Sequence, residues 1–286
     1  MFHVSPPNIW GWSFTNSNSA QTTNIGTSVT PTASSGAPTT FTQVATSANI
    51  EYDVYQVIIG IFSGASTGQA KNHALDIGVD PDGGTTYTAV ISNILCGQTG
   101  AYGTNGGYWC AFPLSIRAGS SVGVRVRGSN ATAGTVRVLT TFYGRPSKPE
   151  LCPTGSYSQT LGFTAGTTSG TSFTPGNTVE GAWASIGTAT ADLWWWQLGF
   201  AINNNTTTAA MTHVDLAYGD ATNKQIIFEN LAIFQVGTSE ISGYHCYQQL
   251  LSGYRYVPAG TNLYVRGWCS AAPVAGYQAV AIGLGG

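Results

Sequence analysis

Charge is what this chain has least of. Only 8% of its 286 residues are Asp, Glu, Lys or Arg, against roughly a quarter in an ordinary soluble domain. Ten basic side chains stand against twelve acidic ones, for a net charge of −2. Holding a phosphate backbone takes clustered Lys and Arg, and so few, spread along the chain, give no reason to expect a nucleic-acid partner. There is no run of 18 apolar residues, so no membrane-spanning helix is expected. Met1 to Pro7 has neither a basic start nor an apolar stretch, which is not the pattern of a secretory signal peptide. The chain is therefore expected to be made in a cytosol. Helix formers are also scarce, with two Met and few Lys or Glu.

What is present is apolar and rich in turns. Hydrophobic residues make up 42%, including 8 Trp, 14 Tyr and 11 Phe, and 37 glycines punctuate the chain. A chain of this kind buries a core and is not disordered. Thr, Val, Ile and aromatics between short Gly-rich breaks favour strands.

The sequence repeats itself at an offset of about 140 residues. Glu51–Phe62 lies against Thr190–Ala201, with Asp53 on Asp192 and Gly60 on Gly199. Leu75–Val79 lies against Val214–Tyr218, Ile116–Arg125 against Val257–Arg266, and Ala133–Val138 against Ala275–Val280. The order is kept throughout, so the chain reads as a tandem duplication. Ser121–Arg127 alternates, with Val122, Val124 and Val126 facing a core and Arg125 and Arg127 facing out. Val54–Phe62 is nearly continuous in apolar residues, as in a strand buried on both faces or in a sandwich core. Many short strands with no helical period predict an all-β protein of two tandem jelly-roll-like β-sandwich domains with an extended N-terminal arm. The expected boundaries are 1–20 for the arm, 21–144 for the first sandwich, 145–156 for a Pro-rich linker and 157–286 for the second sandwich.

No motif carries chemistry well. Gly119-Ser120-Ser121-Val122-Gly123 fits the G-x-S-x-G spacing, but it opens a strand where a nucleophile elbow needs a strand, a sharp turn and a helix. Asp53 and Asp192, like Asp76 and Asp215, sit at equivalent places in the two copies, which suits turns or caps better than an acid/base pair. Asp76, Asp80 and Asp82 before Gly83 only faintly resemble a calcium loop. His3, His73, His213 and His245 lack metal-site spacing. No catalytic, cofactor-binding or metal-binding residue is expected. Two disulfides are open, Cys96 with Cys110 and Cys246 with Cys269, leaving Cys152 in the linker; free thiols are the alternative in a reducing cytosol. Trp10, Trp12 and Phe14 in the arm are candidate assembly contacts. In Trp194-Trp195-Trp196, strand alternation sends Trp194 and Trp196 into a core and leaves Trp195 as a candidate for surface recognition. Tyr102, Tyr108 and Trp109 in one Gly-rich loop, and Tyr244, Tyr247 and Tyr254 in another region, are further candidates, because Tyr, Asn, Ser and Gly in loops suit recognition surfaces.

The blocks Leu75–Asp80 with Gly83-Gly84-Thr85, Phe112–Ser120, and Ala133–Val138 resemble those of Gly/Thr-rich β-sandwich virion structural proteins of tailed bacteriophages. That resemblance implies a non-enzymatic, oligomeric virion protein, tail-associated in a fibre or baseplate. Its partners would be other virion proteins, copies of itself and a host-surface glycan. A capsid decoration protein is the alternative, in which the arm and the more basic first copy grip the shell. A secreted carbohydrate-binding module is the third reading, with Asn130-Ala131-Thr132 and Asn204-Asn205-Thr206 as glycosylation sites.

Overall fold

The computed structural model describes residues 12–16, 26–31, 38–63, 71–98, 108–128, 136–145, 155–163, 170–202, 210–235, 242–244, 254–270 and 277–286. They are strands almost throughout. In the first half these are β1 (Trp12–Thr15), β2 (Thr27–Val29), β3 (Thr42–Ala45), β4 (Asp53–Ser63), β5 (Lys71–Asp80), β6 (Thr88–Gln98), β7 (Tyr108–Phe112), β8 (Ser121–Gly128) and β9 (Val136–Arg145). The second half holds β10 (Tyr157–Leu161), β11 (Thr171–Phe173), β12 (Gly176–Asn177), β13 (Ala184–Thr188), β14 (Leu193–Ile202), β15 (Ala210–Gly219), β16 (Lys224–Gln235), β17 (Ser242–Tyr244), β18 (Tyr254–Val257), β19 (Asn262–Cys269) and β20 (Tyr277–Gly285).

Each half is a sandwich of two sheets. The first has the orders β1-β9-β4-β7 and β3-β8-β5-β6, with β2 added beside β9. Leaving out β2, the eight strands are wound as a jelly roll. The second repeats the design as β10-β20-β14-β17 and β12-β19-β15-β16, with β11 on β20, β13 on β19 and β18 on β14. The duplication read from the sequence is thus present in the topology, and β4 and β14 are irregular at matching places, Val54/Gln56 against β9 and Leu193/Trp195 against β18.

Registers equate Val57 with Trp196 and Phe142 with Gly283, two cross-strand pairs in matching places. The volumes are exchanged. In the first core a Val faces a Phe; in the second a Trp faces a Gly, and a Cβ on Gly283 would meet the Trp196 ring at 2.8 Å. The bulky ring has moved to the opposite strand of the pair, facing a small residue that makes room for it. The buried Trp196 indole N–H donates to the Arg255 carbonyl at 3.0 Å.

The arm is shorter than the sequence suggested. Residues 12–15 are β1, paired with β9 from Trp12↔Gly144 to Thr15↔Thr141. Trp12 packs edge-on against Tyr52 and Phe14 stacks on Phe142. These two rings, expected as assembly contacts, hold the strand on its own sandwich and stay half-buried; Trp10 lies outside the described residues. Of the expected linker, Arg145 ends β9, Gly155 bridges to Leu114, and residues 146–154 lie outside the described residues.

The two sandwiches share apolar surface. Trp195, Val280, Ile282 and Leu284 of the second are buried in one cluster with the core of the first. The Trp195 ring lies 5.5 Å from that of Phe112. Trp195 was expected as a surface recognition residue; it is 6% exposed, and the correction has a simple cause. Its face of the sheet is outward for its own sandwich but inward for the pair. The register shift beside it also separates Trp194 from Trp196, so the expected shared core of those two does not hold: Trp194 packs against the junction and Trp196 lies in the second core. Polar bonds fix the docking. Thr160 Oγ1 donates to the Ser92 carbonyl at 2.5 Å, Ser158 Oγ to the Val90 carbonyl, and the Ser115 and Gly155 amides to Gly155 and Pro113 carbonyls.

The expected Cys246–Cys269 disulfide is also corrected for the residue described. Cys269 is a buried thiol with Thr212 Oγ1 at 3.2 Å and Tyr277 Oη at 3.4 Å; Cys246 and Cys152 lie outside the described residues. Cys110 is buried on β7, and the side chain of Cys96 is not among those described.

Two outcomes follow from this core. Trp195→Ala should cost about 3–5 kcal/mol and split one calorimetric unfolding transition into two, because the ring joins both sandwiches. Burial first, and the Cys269 hydrogen bond second, push the Tyr277 hydroxyl up to about 12. Its proton is released more readily from the unfolded chain, so stability should be full below pH ~10 and fall between pH ~10 and ~12. Denaturant titrations across that range should show a shallower fall in Tyr277→Phe.

Candidate functional site

The carboxylates that could have carried acid/base chemistry are engaged as hydrogen-bond acceptors, in the same manner in both copies. Asp53 accepts the Ala118 amide at 2.8 Å and Asp192 the Ala259 amide at 2.9 Å. Each braces a turn whose next residue, Gly119 or Gly260, has φ near +80°, a conformation that costs glycine nothing. The amides of those glycines reach back to Ile50 O at 2.8 Å and Ala189 O at 2.7 Å. At Asp192 the Ala259 amide first and the Tyr256 hydroxyl second hold the carboxyl below its ordinary range.

The second device sits on the outer faces of the β8 and β19 sheets. Asp76 accepts the Asn93 amide at 2.8 Å, and Asp215 the Asn230 amide at 2.7 Å. Both Asn residues have positive φ, 63° and 53°, at register shifts in the β5–β6 and β15–β16 ladders. A bulge leaves an amide without its ladder partner, and the carboxylate satisfies it. Arg125 Nε at 2.8 Å and Arg127 at 2.9 Å pair with Asp76; Arg266 Nε at 2.9 Å pairs with Asp215 and its other end with Glu180. Arg125 lies 4.5 Å over the Phe41 ring and Arg266 4.3 Å over Trp183. The arginines expected to face out therefore do so, each held between a buried carboxylate and an aromatic face.

The other sequence candidates resolve locally. Asp80 accepts the amides of Asp82 at 3.0 Å and Thr86 at 2.7 Å, closing the turn that faintly resembled a calcium loop. Among the described residues no group of three or more His, Cys, Asp or Glu could hold a metal ion. Ser121 Oγ donates to the Gly84 carbonyl at 2.6 Å and is buried. Trp109 on β7 is 46% exposed. Tyr108, Tyr244 and Tyr254 are placed as strand backbone, without a described side chain. Tyr102 and Tyr247 lie outside the described residues. No helix among the described residues is long and apolar enough to cross a membrane.

A surface that sequence reasoning missed lies on the outer face of the β19 sheet. Tyr264, Arg266 and Trp268 alternate outward from β19. Trp268 stacks on His213 at 4.1 Å with the two rings nearly parallel, and its Nε1 is 3.3 Å from Asn230 Oδ1. Lys224 Nζ is 4.6 Å over Tyr264 and 5.9 Å over Trp183. At the places of Tyr264 and Trp268 the first copy carries Gly123 and Arg127, and Arg127 lies over Phe163 of the second sandwich. The aromatic row is thus peculiar to the second copy. The strict alternation of residues 262–269 was the available signal.

No protein-family model matches the chain, and no curated protein matches it. Among solved structures it is similar to a chain of the cowpea mosaic virus top component, naturally occurring empty particles, at 9% identity and a TM-score of 0.34, over 90% of this chain and 87% of that one. It is also similar to the CBM22-1–CBM22-2 tandem of Paenibacillus barcinonensis Xyn10C, at 7% identity and 0.28, over 94% and 91%. A third is infectious bursal disease virus, Gx strain, at 10% and 0.26, over 86% and 58%. Likenesses this slight say nothing about partner or activity.

The Asp76 cluster gives a direct test. Asp76→Ala leaves Arg125 and Arg127 without their carboxylate and the Asn93 amide without an acceptor, and should lower the unfolding free energy in urea by about 3–5 kcal/mol. Asp215→Ala should do the same in the second sandwich.

Proposed function

We propose that this chain is a non-catalytic structural subunit of a virus particle, acting in assembly and adhesion. In its finer form the reading is a tail-associated fibre or baseplate component of a tailed bacteriophage that contacts host-surface glycan. One observation carries the non-catalytic part. The duplicated carboxylates Asp53, Asp192, Asp76 and Asp215 each accept a backbone amide, and two of them also hold arginines. A carboxylate bound in this way is a fixed brace and is poorly placed to shuttle a proton. The adhesive part is supported by Trp183, Tyr264 and Trp268, flat rings beside Arg266, Lys224 and Asn230 on one sheet face. Rings of this kind offer apolar faces to the C–H side of a sugar while neighbouring polar groups meet its hydroxyls.

The test is binding of the purified chain to host cells and to an array of their surface glycans. Retention is expected, with Trp268→Ala weakening it about tenfold, the equivalent of one lost ring contact. Release of reducing sugar from any bound glycan would overturn the non-catalytic reading. Immunogold labelling should decorate tails; labelling confined to heads would favour capsid decoration.

A further inference from the structure

The junction between the two sandwiches is a contact between unlike surfaces, and the described residues of each chain carry a second set of both. On the first sandwich the junction uses the open side at edge strand β6, whose Val90 and Ser92 carbonyls accept the hydroxyls of Ser158 and Thr160. On the second it uses the outer face of the β20 sheet. That face is why all nine residues of β20 are buried. Its duplicate β9 alternates strictly between buried and half-buried, with Leu139, Thr141 and Tyr143 on the outer row.

Register places the duplicates one for one. Ser158 pairs with Leu284 and Thr160 with Ile282 in the second copy, as Ser13 pairs with Tyr143 and Thr15 with Thr141 in the first. The hydroxyl residues Ser13 and Thr15 therefore stand, exposed, where Ser158 and Thr160 stand in the junction. On the complementary side, the shared bulge at Asn93 and Asn230 equates Val90 with Ile227 and Ser92 with Glu229. Among the described residues β16 is the end strand of its sheet, with Ile227 half-buried and Glu229 exposed. A twelve-residue edge left open is a surface that folded proteins cover or blunt.

We propose that β16 of one chain docks on the outer face of the β1-β9-β4 sheet of a second copy of the same chain, repeating between chains the junction seen within one. The occupant is a second copy because the chain already builds this contact once from duplicates of the same elements. Charge does not choose the occupant: β16 carries Lys224 as well as Glu229, and the outer row of β9 carries Arg137 and Arg145. The row is less apolar than its duplicate, with Thr141 for Ile282 and Gln56 for Trp195, so the contact between chains is weaker than the one within. Because the two surfaces differ, the contact is heterologous: it closes into a ring, of two chains or more, or runs on as a filament. This inference rests on the assembly reading above and names its partner.

Sedimentation of the full chain with two surface variants tests it. The wild type should self-associate as concentration rises. Thr141→Arg blocks the face and Ile227→Lys blocks the edge, so each alone should be monomeric. An equal mixture should give a 1:1 dimer and nothing larger, since each variant keeps the half that the other lacks. Far-UV spectra and melting temperatures report folding, and Glu229→Lys replaces Ile227→Lys if that chain does not fold. A mixture that stays monomeric, or single variants that associate as the wild type does, overturns the proposal. A wild type that stays monomeric yet still enters particles overturns the self-contact alone, whereas absence from particles removes the structural reading as well.

Discussion

The structure depends on a sheet that has no outside. Strand β20 is buried along its whole length because one face closes the second sandwich and the other supports the first. Burial of apolar area is the main favourable term in such docking, and Trp195, Val280, Ile282 and Leu284 supply it. Carbonyls on the β6 edge, which would otherwise face apolar surface without a partner, accept hydroxyls from Ser158 and Thr160. The junction is therefore both apolar and hydrogen-bonded, and two jelly rolls become one block.

The same economy governs the few charges. With so little charge in the chain, a buried carboxylate has to be compensated locally. Asp76 and Asp215 each satisfy a bulged amide and neutralise an arginine that an aromatic ring then covers. Asp53 and Asp192 brace turns that only glycine enters without strain. That the amide contacts of all four carboxylates, and an arginine on Asp76 and Asp215, recur in both copies marks them as parts of the fold, inherited with the duplicated unit. What differs between the copies is more telling of use. The outer row of β19 has gained Tyr264 and Trp268 where the first copy has Gly123 and Arg127.

Much of this was legible in the residues. Pairing Asp53 with Asp192 and Gly60 with Gly199 yielded the duplication, and the alternation of Val122, Val124 and Val126 yielded the inward face of β8. The errors came from contacts that no local pattern encodes. Trp195 alternates away from its own core, so period-two reasoning sends it to solvent; only the docked first sandwich buries it. Trp12 and Phe14 were read as arm because the match of Trp12–Thr15 to Tyr157–Thr160, which the registers show, is only four residues long and lies outside the aligned blocks. The Asp–Asn bulge pairing escaped notice because its partners are seventeen and fifteen residues apart in sequence and the signal is a backbone angle. The aromatic face of β19 was written in the alternation of residues 262–269, but no dense cluster drew attention to it.

Rigidity of the junction is the central claim, and residual dipolar couplings of the full chain measure it most directly. One alignment tensor should fit the amides of both sandwiches. Two independent tensors, as for domains tumbling on a tether, would contradict the account.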